Sequence, residues 1–356
     1  MASISEERDR LARATAAGAA AHTAGPERER LRLPYGWGYL PLGLFLLVFP
    51  LFAGEFWAMQ IGAYTLILGI VALSLMFLAG FGGMVSLAQM TVAGCAGYFF
   101  AIFGHSSVEA ISLGWSAWLS MPLSLLVATA FATMVGLLAS RTEGIYTIMI
   151  TLAIAVAFFY FTRQNYELFN GYNGFAQIAP PAFFGLDWRD PTLFYYLCLA
   201  VALVCYAAVV YLRRSTFGLS VQALRDNQRR MRALGYHVAG HQVAAYATAG
   251  FMAALGGLLL VWLNGRISPG TIGVGPVIDI LIIAVLGGLR HPIGPFLGAL
   301  AFVLLDSFAI DLIERERFNT VIGLCFLAVV LFSPDGLLGL WARARDALAR
   351  SGRPRS

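Results

Sequence analysis

AMQIGAYTLILGIVALSLMFLAG, residues 58–80, runs for 23 residues without a charged side chain. A helix of that length rises about 34 Å, enough to cross roughly 30 Å of hydrocarbon. It shows no apolar/polar alternation of the kind a barrel strand needs. Comparable segments occur at 37–54, 84–104, 113–139, 144–162, 192–212, 242–263, 275–289, 294–313 and 318–332. The chain as a whole is 59% hydrophobic and 12% charged, with mean hydropathy +0.74. A soluble globule of that composition would have to leave most of its apolar area in water, so an ordinary soluble domain is excluded. The expected fold is an all-α, polytopic helical membrane protein of about 10 transmembrane helices with both termini cytoplasmic. Three regions follow: a polar tail at 1–35, a transmembrane domain at 36–334 interrupted by a basic loop at 213–242, and an amphipathic segment at 335–356, where leucines, Trp341 and arginines suit a membrane interface. Segments 84–104 and 275–289 begin with glycines and polar residues, and each reads as either a broken or a re-entrant helix.

Arginine placement tests the topology. With ten spans, the tail, Arg141, the 213–242 loop, Arg290 and the C-terminal end share the cytoplasmic side and hold 19 of the 24 arginines. Residues 1–33 show no charged-then-apolar signal peptide pattern, so a cytoplasmic tail is the expectation there. There is no lysine at all, so the chain cannot supply the lysine of a Walker A phosphate loop. Cys95, Cys198, Cys205 and Cys325 lie inside apolar spans with no paired spacing and read as small buried hydrophobes. His237 and His241 are four residues apart, but no carboxylate or cysteine nearby completes a site, so no metal is expected. The chain offers no catalytic constellation and no basis for binding nucleic acid; membrane lipid is its expected surrounding.

The loop RRSTFGLSVQALRDNQRRMRALGYHVAGHQ, 213–242, is the long polar interruption in this apolar chain. Ser220 is the expected N-cap and Gly235 the expected left-handed C-terminal glycine of one short helix. Val221, Leu224, Met231 and Leu234 share a side, with Arg225, Asp226, Arg229, Arg230 and Arg232 elsewhere. Two readings stand: a solvated basic loop that only fixes topology, or a docking helix whose apolar face grips a partner. Among groups inside spans, Asp279 is a candidate pathway residue, or else caps its helix or snorkels outward. Asp306 reads as a structural hydrogen-bonding group. Ser86, Gln89 and Thr91 could line a polar path or satisfy the start of their helix. Small-residue pairs, Gly94 with Gly97, Gly250 with Ala254, Ala253 with Gly257 and Gly294 with Gly298, read as helix packing. The connection at 163–191, with NGYNG at 170–174, is either a flexible turn or a surface for an extracytoplasmic partner. GFGGMVSLAQ at 80–89 and GGLRHPIGPFLG at 287–298 hint weakly at an internal duplication.

Six segments in order resemble the permease subunits of ATP-binding-cassette importers for branched-chain amino acids, particularly the second, longer permease of that system. They are GFGGMVSLAQMTVAGCAGYFFA (80–101), RTEGIYTIMITLA (141–153), NGYNGF (170–175), FGLSVQALRDNQRRMRALGYHV (217–238), VIDILIIAVLGGLRHPIGPFLGA (277–299) and LFSPDGLLGL (331–340). The resemblance covers nearly all of the chain after residue 36. It implies a bacterial inner-membrane, multi-pass transport subunit that is not an enzyme. It further implies that this subunit pairs with a second homologous permease, receives substrate from a periplasmic or extracytoplasmic binding protein, and docks cytoplasmic ATP-binding subunits that hold the ATP. No cofactor is then expected in this chain. The family's coupling segment falls on 217–238, with Ala223 and Gly235 at its alanine and glycine positions. Within that segment the expected coupling residues are Val221, Leu224, Arg225, Arg229, Arg230, Met231, Leu234 and Gly235; the expected pathway residues, from their place in the spans, are Ser86, Gln89, Thr91 and Asp279. Ala88 stands where glycine is usual, and NGYNG replaces a turn richer in serine or threonine. Urea and short amides are therefore an alternative substrate class. A secondary transporter using Asp279 or Asp306 without an ATPase is the competing mechanism. A membrane-embedded enzyme is disfavoured, because no histidine and carboxylate constellation sits at membrane depth.

Overall fold

The computed structural model describes residues 46–312, except 51, 53, 109, 182–187 and 189, together with 323, 324, 327 and 336–339. Its contacts separate Met1–Val48 from Phe49–Ser356, and the architecture described here is that of the second unit. The tail at 1–35, most of the expected spans at 37–54 and 318–332, and most of 335–356 lie outside the described residues.

The described chain is helical, with one isolated antiparallel bridge. We number the helices α1 Trp57–Phe81, α2 Gln89–Phe103, α3 Ala117–Ala139, α4 Ile145–Gln164, α5 Pro191–Arg214, α6 Thr216–Asp226, α7 Gln228–Ala233, α8 Val238–Asn264, α9 Val274–Gly287 and α10 Gly294–Leu312. Among them α1, α3, α4, α5 and α8 are long and apolar enough to cross a membrane. Helices α2 and α9, of 15 and 14 residues, rise only about 22 Å each, short of the hydrocarbon thickness. Each is entered through irregular chain, 83–88 before α2 and 265–273, with one short 3-10 turn at Pro269–Ile272, before α9. These are the two segments whose glycine and polar starts read as a broken or a re-entrant helix, and both are short helices. Irregular backbone at membrane depth is tolerated only where protein covers it, and α2 is covered: nearly all its residues are buried.

A helix apolar on every side must be enclosed, and α1 is the enclosed one. Ile67, Ile70, Val71, Ala72 and Leu73 are wholly inaccessible. Helices α3 and α4 instead leave broad apolar faces open, with Leu126, Leu137 and Met149 all more than half exposed. The inner face of α3 is a strip of small residues one turn apart, Ser120, Ser124, Ala128, Ala132 and Gly136. That strip lets α8 approach closely: a methyl group on Gly250 would overlap the Ala132 side chain, and one on Gly257 the backbone of Ala93 in α2. The packing reading of Gly250 and Gly257 therefore holds, through contacts that replace the missing hydrophobic force between helices in lipid with close van der Waals fit.

Loop contacts sort the helix ends into two faces. Arg225 of α6 reaches the Gly80 carbonyl at the end of α1, Arg213 lies 5.8 Å over the Phe81 ring, and Arg232 pairs with Glu143 between α3 and α4. Leu289, after α9, abuts Gly80. The loops carrying Arg141, Arg290 and residues 213–242 thus share one face, the grouping that arginine placement predicts. On the other face the 165–180 connection is tied down rather than loose. Asn165 caps the short helix Tyr166–Phe169, Asn170 donates to the Gly174 carbonyl at 2.6 Å, and Phe175 and Ile267 exchange backbone hydrogen bonds of 2.8 Å. Gly174, at φ +65°, is required there because any side chain would meet the Ile267 carbonyl.

Candidate coupling loop and cavity

The 213–242 loop departs from the single helix expected of it. The chain first caps at Ser215, whose hydroxyl accepts from Gly218 N–H at 3.1 Å, and α6 begins a residue later. Ser220 is inside that helix, donating to the Thr216 carbonyl at 2.9 Å, so it is not the N-cap. Asn227 then adopts extended backbone, breaks the helix and caps α7 by accepting from Arg230 N–H at 2.9 Å. The physical reason is local: a short amide side chain satisfies the free N–H groups of a new helix start, which serine in mid-helix does not. Gly235 does end the segment in the left-handed region, at φ +85°. His237 caps the next helix, its Nδ1 accepting from Gly240 N–H at 3.0 Å.

The apolar stripe needs a second correction. Val221, Leu224 and Met231 are not an open face for a partner: they are 0%, 2% and 6% exposed. Val221 sits beneath Gly82, and Leu224 and Met231 form a small core with Val238 at the start of α8. The stripe is spent on the protein's own helices, because the loop lies flat on the ends of α1 and α8. Leu234, the fourth member, is 67% exposed, and Leu219 and Tyr236 stand open beside the arginines. Arg225 also differs from the other arginines, since its stem packs over Gly83 while its guanidinium binds Gly80. Arg229 and Arg230 are exposed. The Arg232–Glu143 pair, at 3.4 Å with both side chains more than half exposed, contributes about 0–1 kcal/mol.

The four pathway candidates do not come together. Ser86, Gln89 and Thr91 are no more than 2% exposed. Gln89 accepts from the Ser74 hydroxyl of α1 at 3.0 Å, and Leu87 N–H donates to Thr151 of α4 at 3.1 Å, which pins the entry to α2 between two helices. The Thr91 hydroxyl is buried without a partner among the described residues. Asp279 stands apart, on a cavity of about 720 Å³ lined by the end of α8 and the start of α9, the helix ends opposite the arginine face. Tyr64 of α1, Asn264 at the end of α8, Arg266 just beyond it and Phe302 of α10 share that wall. Arg266 and Asn264 were not singled out in the sequence, where an arginine in a short connection is only a topology mark. The two glycine stretches that hinted at duplication meet in space, as Gly80 packs on Leu289. Close packing accounts for the glycines there.

These features are a membrane-embedded helical core, a loop wired into the ends of two core helices, and a polar cavity at the far end. Residues 58–330 match the protein family described as branched-chain amino acid transport system / permease component. The chain belongs to that family. Its relatives include the high-affinity branched-chain amino acid transport system permease protein LivM of Salmonella typhimurium, 25% identical over 79% of this chain and 70% of the relative. BraD of Pseudomonas aeruginosa, another permease protein of such a system, is 24% identical over 82% of this chain and 94% of its own. The autoinducer 2 import system permease protein LsrC of Escherichia coli O9:H4 is 31% identical over 49% of this chain and 48% of its own. No solved structure matches. Membership and the long apolar helices make this a multi-pass membrane protein of a transport permease family.

Proposed function

We propose that the chain is a permease subunit of an ATP-binding-cassette importer, forming part of the pathway by which branched-chain amino acids cross the bacterial inner membrane. The observation that carries this is the family match across 58–330 on a chain whose arginine loop is wired to α1 and, through Gly80 and Leu289, to the turn after α9. ATP is bound by separate cytoplasmic subunits, since a chain without lysine lacks the residue a phosphate loop needs. Those subunits dock on the arginine face, where Leu234, Arg229 and Arg230 are open and Gly235 sets the turn. Val221, Leu224, Arg225 and Met231 transmit the movement inward as the anchored side of the same loop. A second homologous permease completes the pathway, and an extracytoplasmic binding protein delivers substrate to the opposite face. Ser86, Gln89 and Thr91 continue the route from Asp279 towards the arginine face when the helices part, a use consistent with a threonine hydroxyl left unpaired in the core.

The test is to express the tagged chain with its neighbouring transport genes, identify what co-purifies and measure uptake of labelled leucine, urea and ribose. ATP-dependent leucine uptake that needs the co-purified ATPase is expected. Uptake that persists without any ATPase would overturn the reading in favour of a secondary transporter.

A further inference from the structure

We propose that the cavity between α1, α8, α9 and α10 is a transient receiving site for an amino acid zwitterion, with Arg266 taking the carboxylate and Asp279 the ammonium. The proposal rests on the permease reading and adds the two residues that read the substrate's charges. Among the described lining residues there is one cation and one anion, Arg266 and Asp279, and no other charged side chain. Opposite charges at separate points of one wall match a dipolar ligand; a lone anion or cation would be attracted by one and repelled by the other. The same lining carries Asn264, Ser268 and Thr271 and the apolar Leu68, Leu260 and Phe302. That composition offers polar contacts to one end of an amino acid and a dry surface to a branched side chain. The volume, about 720 Å³, falls in the range of small-molecule sites, roughly 300–1,000 Å³.

Position favours reception rather than storage. The cavity lies at the helix ends opposite the arginine face, and Ile267, next to Arg266 in its lining, pairs with Phe175 of the 165–180 connection, on the side where a delivering protein would meet the chain. Arg266 is exposed, so water weakens its attraction and the ligand can leave, as a conducting pathway requires. Asp279 is near the start of α9, and Leu289 just past its end lies against Gly80, which Arg225 binds, so the same helix joins the cavity to the contact with the loop. Movement at the arginine face can therefore alter the spacing of the two charges.

The experiment measures labelled leucine uptake by the assembled transporter carrying Arg266→Gln or Asp279→Asn, alongside Arg266→Lys and Asp279→Glu. Arg163→Gln serves as control, an exposed arginine on the same face that stacks on Tyr172 outside the cavity. Each neutral variant is expected to lower uptake about ten-fold or more, while the charge-keeping variants and the control stay within about three-fold of wild type. ATP hydrolysis stimulated by the loaded binding protein is expected to persist in the neutral variants, separating lost reception from lost assembly. Wild-type uptake in either neutral variant overturns the proposal and leaves the permease reading intact. If the wild-type assembly moves no leucine, the permease reading for amino acids falls and this one with it. Should a neutral variant fail to accumulate in the membrane, Thr271→Trp fills the cavity without changing charge, and undiminished uptake then overturns the proposal equally.

Discussion

The guanidinium of Arg225 donates to the backbone carbonyl of Gly80, 145 residues earlier in the chain, and so fastens the loop after α5 to the end of the buried helix α1. A charge-assisted bond to a carbonyl that the terminal turn leaves free is among the stronger ones available to a loop. Replacing Arg225 with Gln is expected to leave the chain inserted and the ATPase subunits attached, yet to reduce leucine uptake about ten-fold. Uptake at the wild-type rate would show that this bond transmits nothing.

Gly80 has a second duty, since any side chain there would overlap the Leu289 carbonyl. Gly80→Ala must push α1 and the turn after α9 apart, an overpacking cost of about 1–3 kcal/mol. A lower thermal midpoint in detergent is the expected readout. An unchanged midpoint would mean that the two backbones separate freely.

Met231 and Leu234 are three residues apart, yet one is buried with Leu224 and Val238 and the other is open. Met231→Glu places a charge in a small core and should expose the loop to trypsin, which has arginines to cut throughout it. Leu234→Glu should leave the trypsin pattern unchanged and weaken retention of the ATPase. The reverse pattern would mean that the loop packs the other way round.

Arg229 and Arg230, exposed beside Leu234, are the expected orienting charges for the partner. Reversing both to Glu should abolish co-purification of the ATPase, or lose ATP-driven uptake, with insertion unaffected. Full ATP-driven uptake in the double variant would remove them from docking.

His291, in the turn between α9 and α10, has its pKa held below the ordinary 6.5, first by burial and then by the nearby Arg213 charge. The folded protein therefore binds this proton less readily than the unfolded chain. Its stability contribution is complete above pH 6.5 and is lost as pH falls through that value towards the lower folded pKa. The thermal midpoint should fall from about pH 7 to about pH 5, and by less in His291→Gln. Equal falls in both proteins would assign the acid sensitivity elsewhere.

Much of this was legible in the chain itself. Unbroken apolar runs such as 58–80 dictate helices, because lipid offers no partner for an open backbone. The glycines at 80–83 and 287–288 marked where helices stop, and the arginine count grouped the loops that the structure gathers on one face. Gly235 was readable as a helix end for the same local reason, its lack of a side chain in the left-handed region. Ser220 misled because two good caps, Ser215 and Asn227, compete within one loop, and a cap's strength depends on which neighbouring N–H groups are already satisfied.

The sequence by itself determined that Val221, Leu224, Met231 and Leu234 form one apolar stripe, and left open whether a partner covers it. Only the tertiary structure decided that Val221, Leu224 and Met231 are covered by the protein's own α1 and α8, leaving Leu234, Arg229 and Arg230 outward. The same division holds for the cavity. Asp279 was conspicuous as an acid within a span. That it shares a cavity wall with Arg266 depends on how α8 ends and α9 begins around the short turn at Pro269–Ile272, and no periodicity along one helix records a wall built from the ends of two.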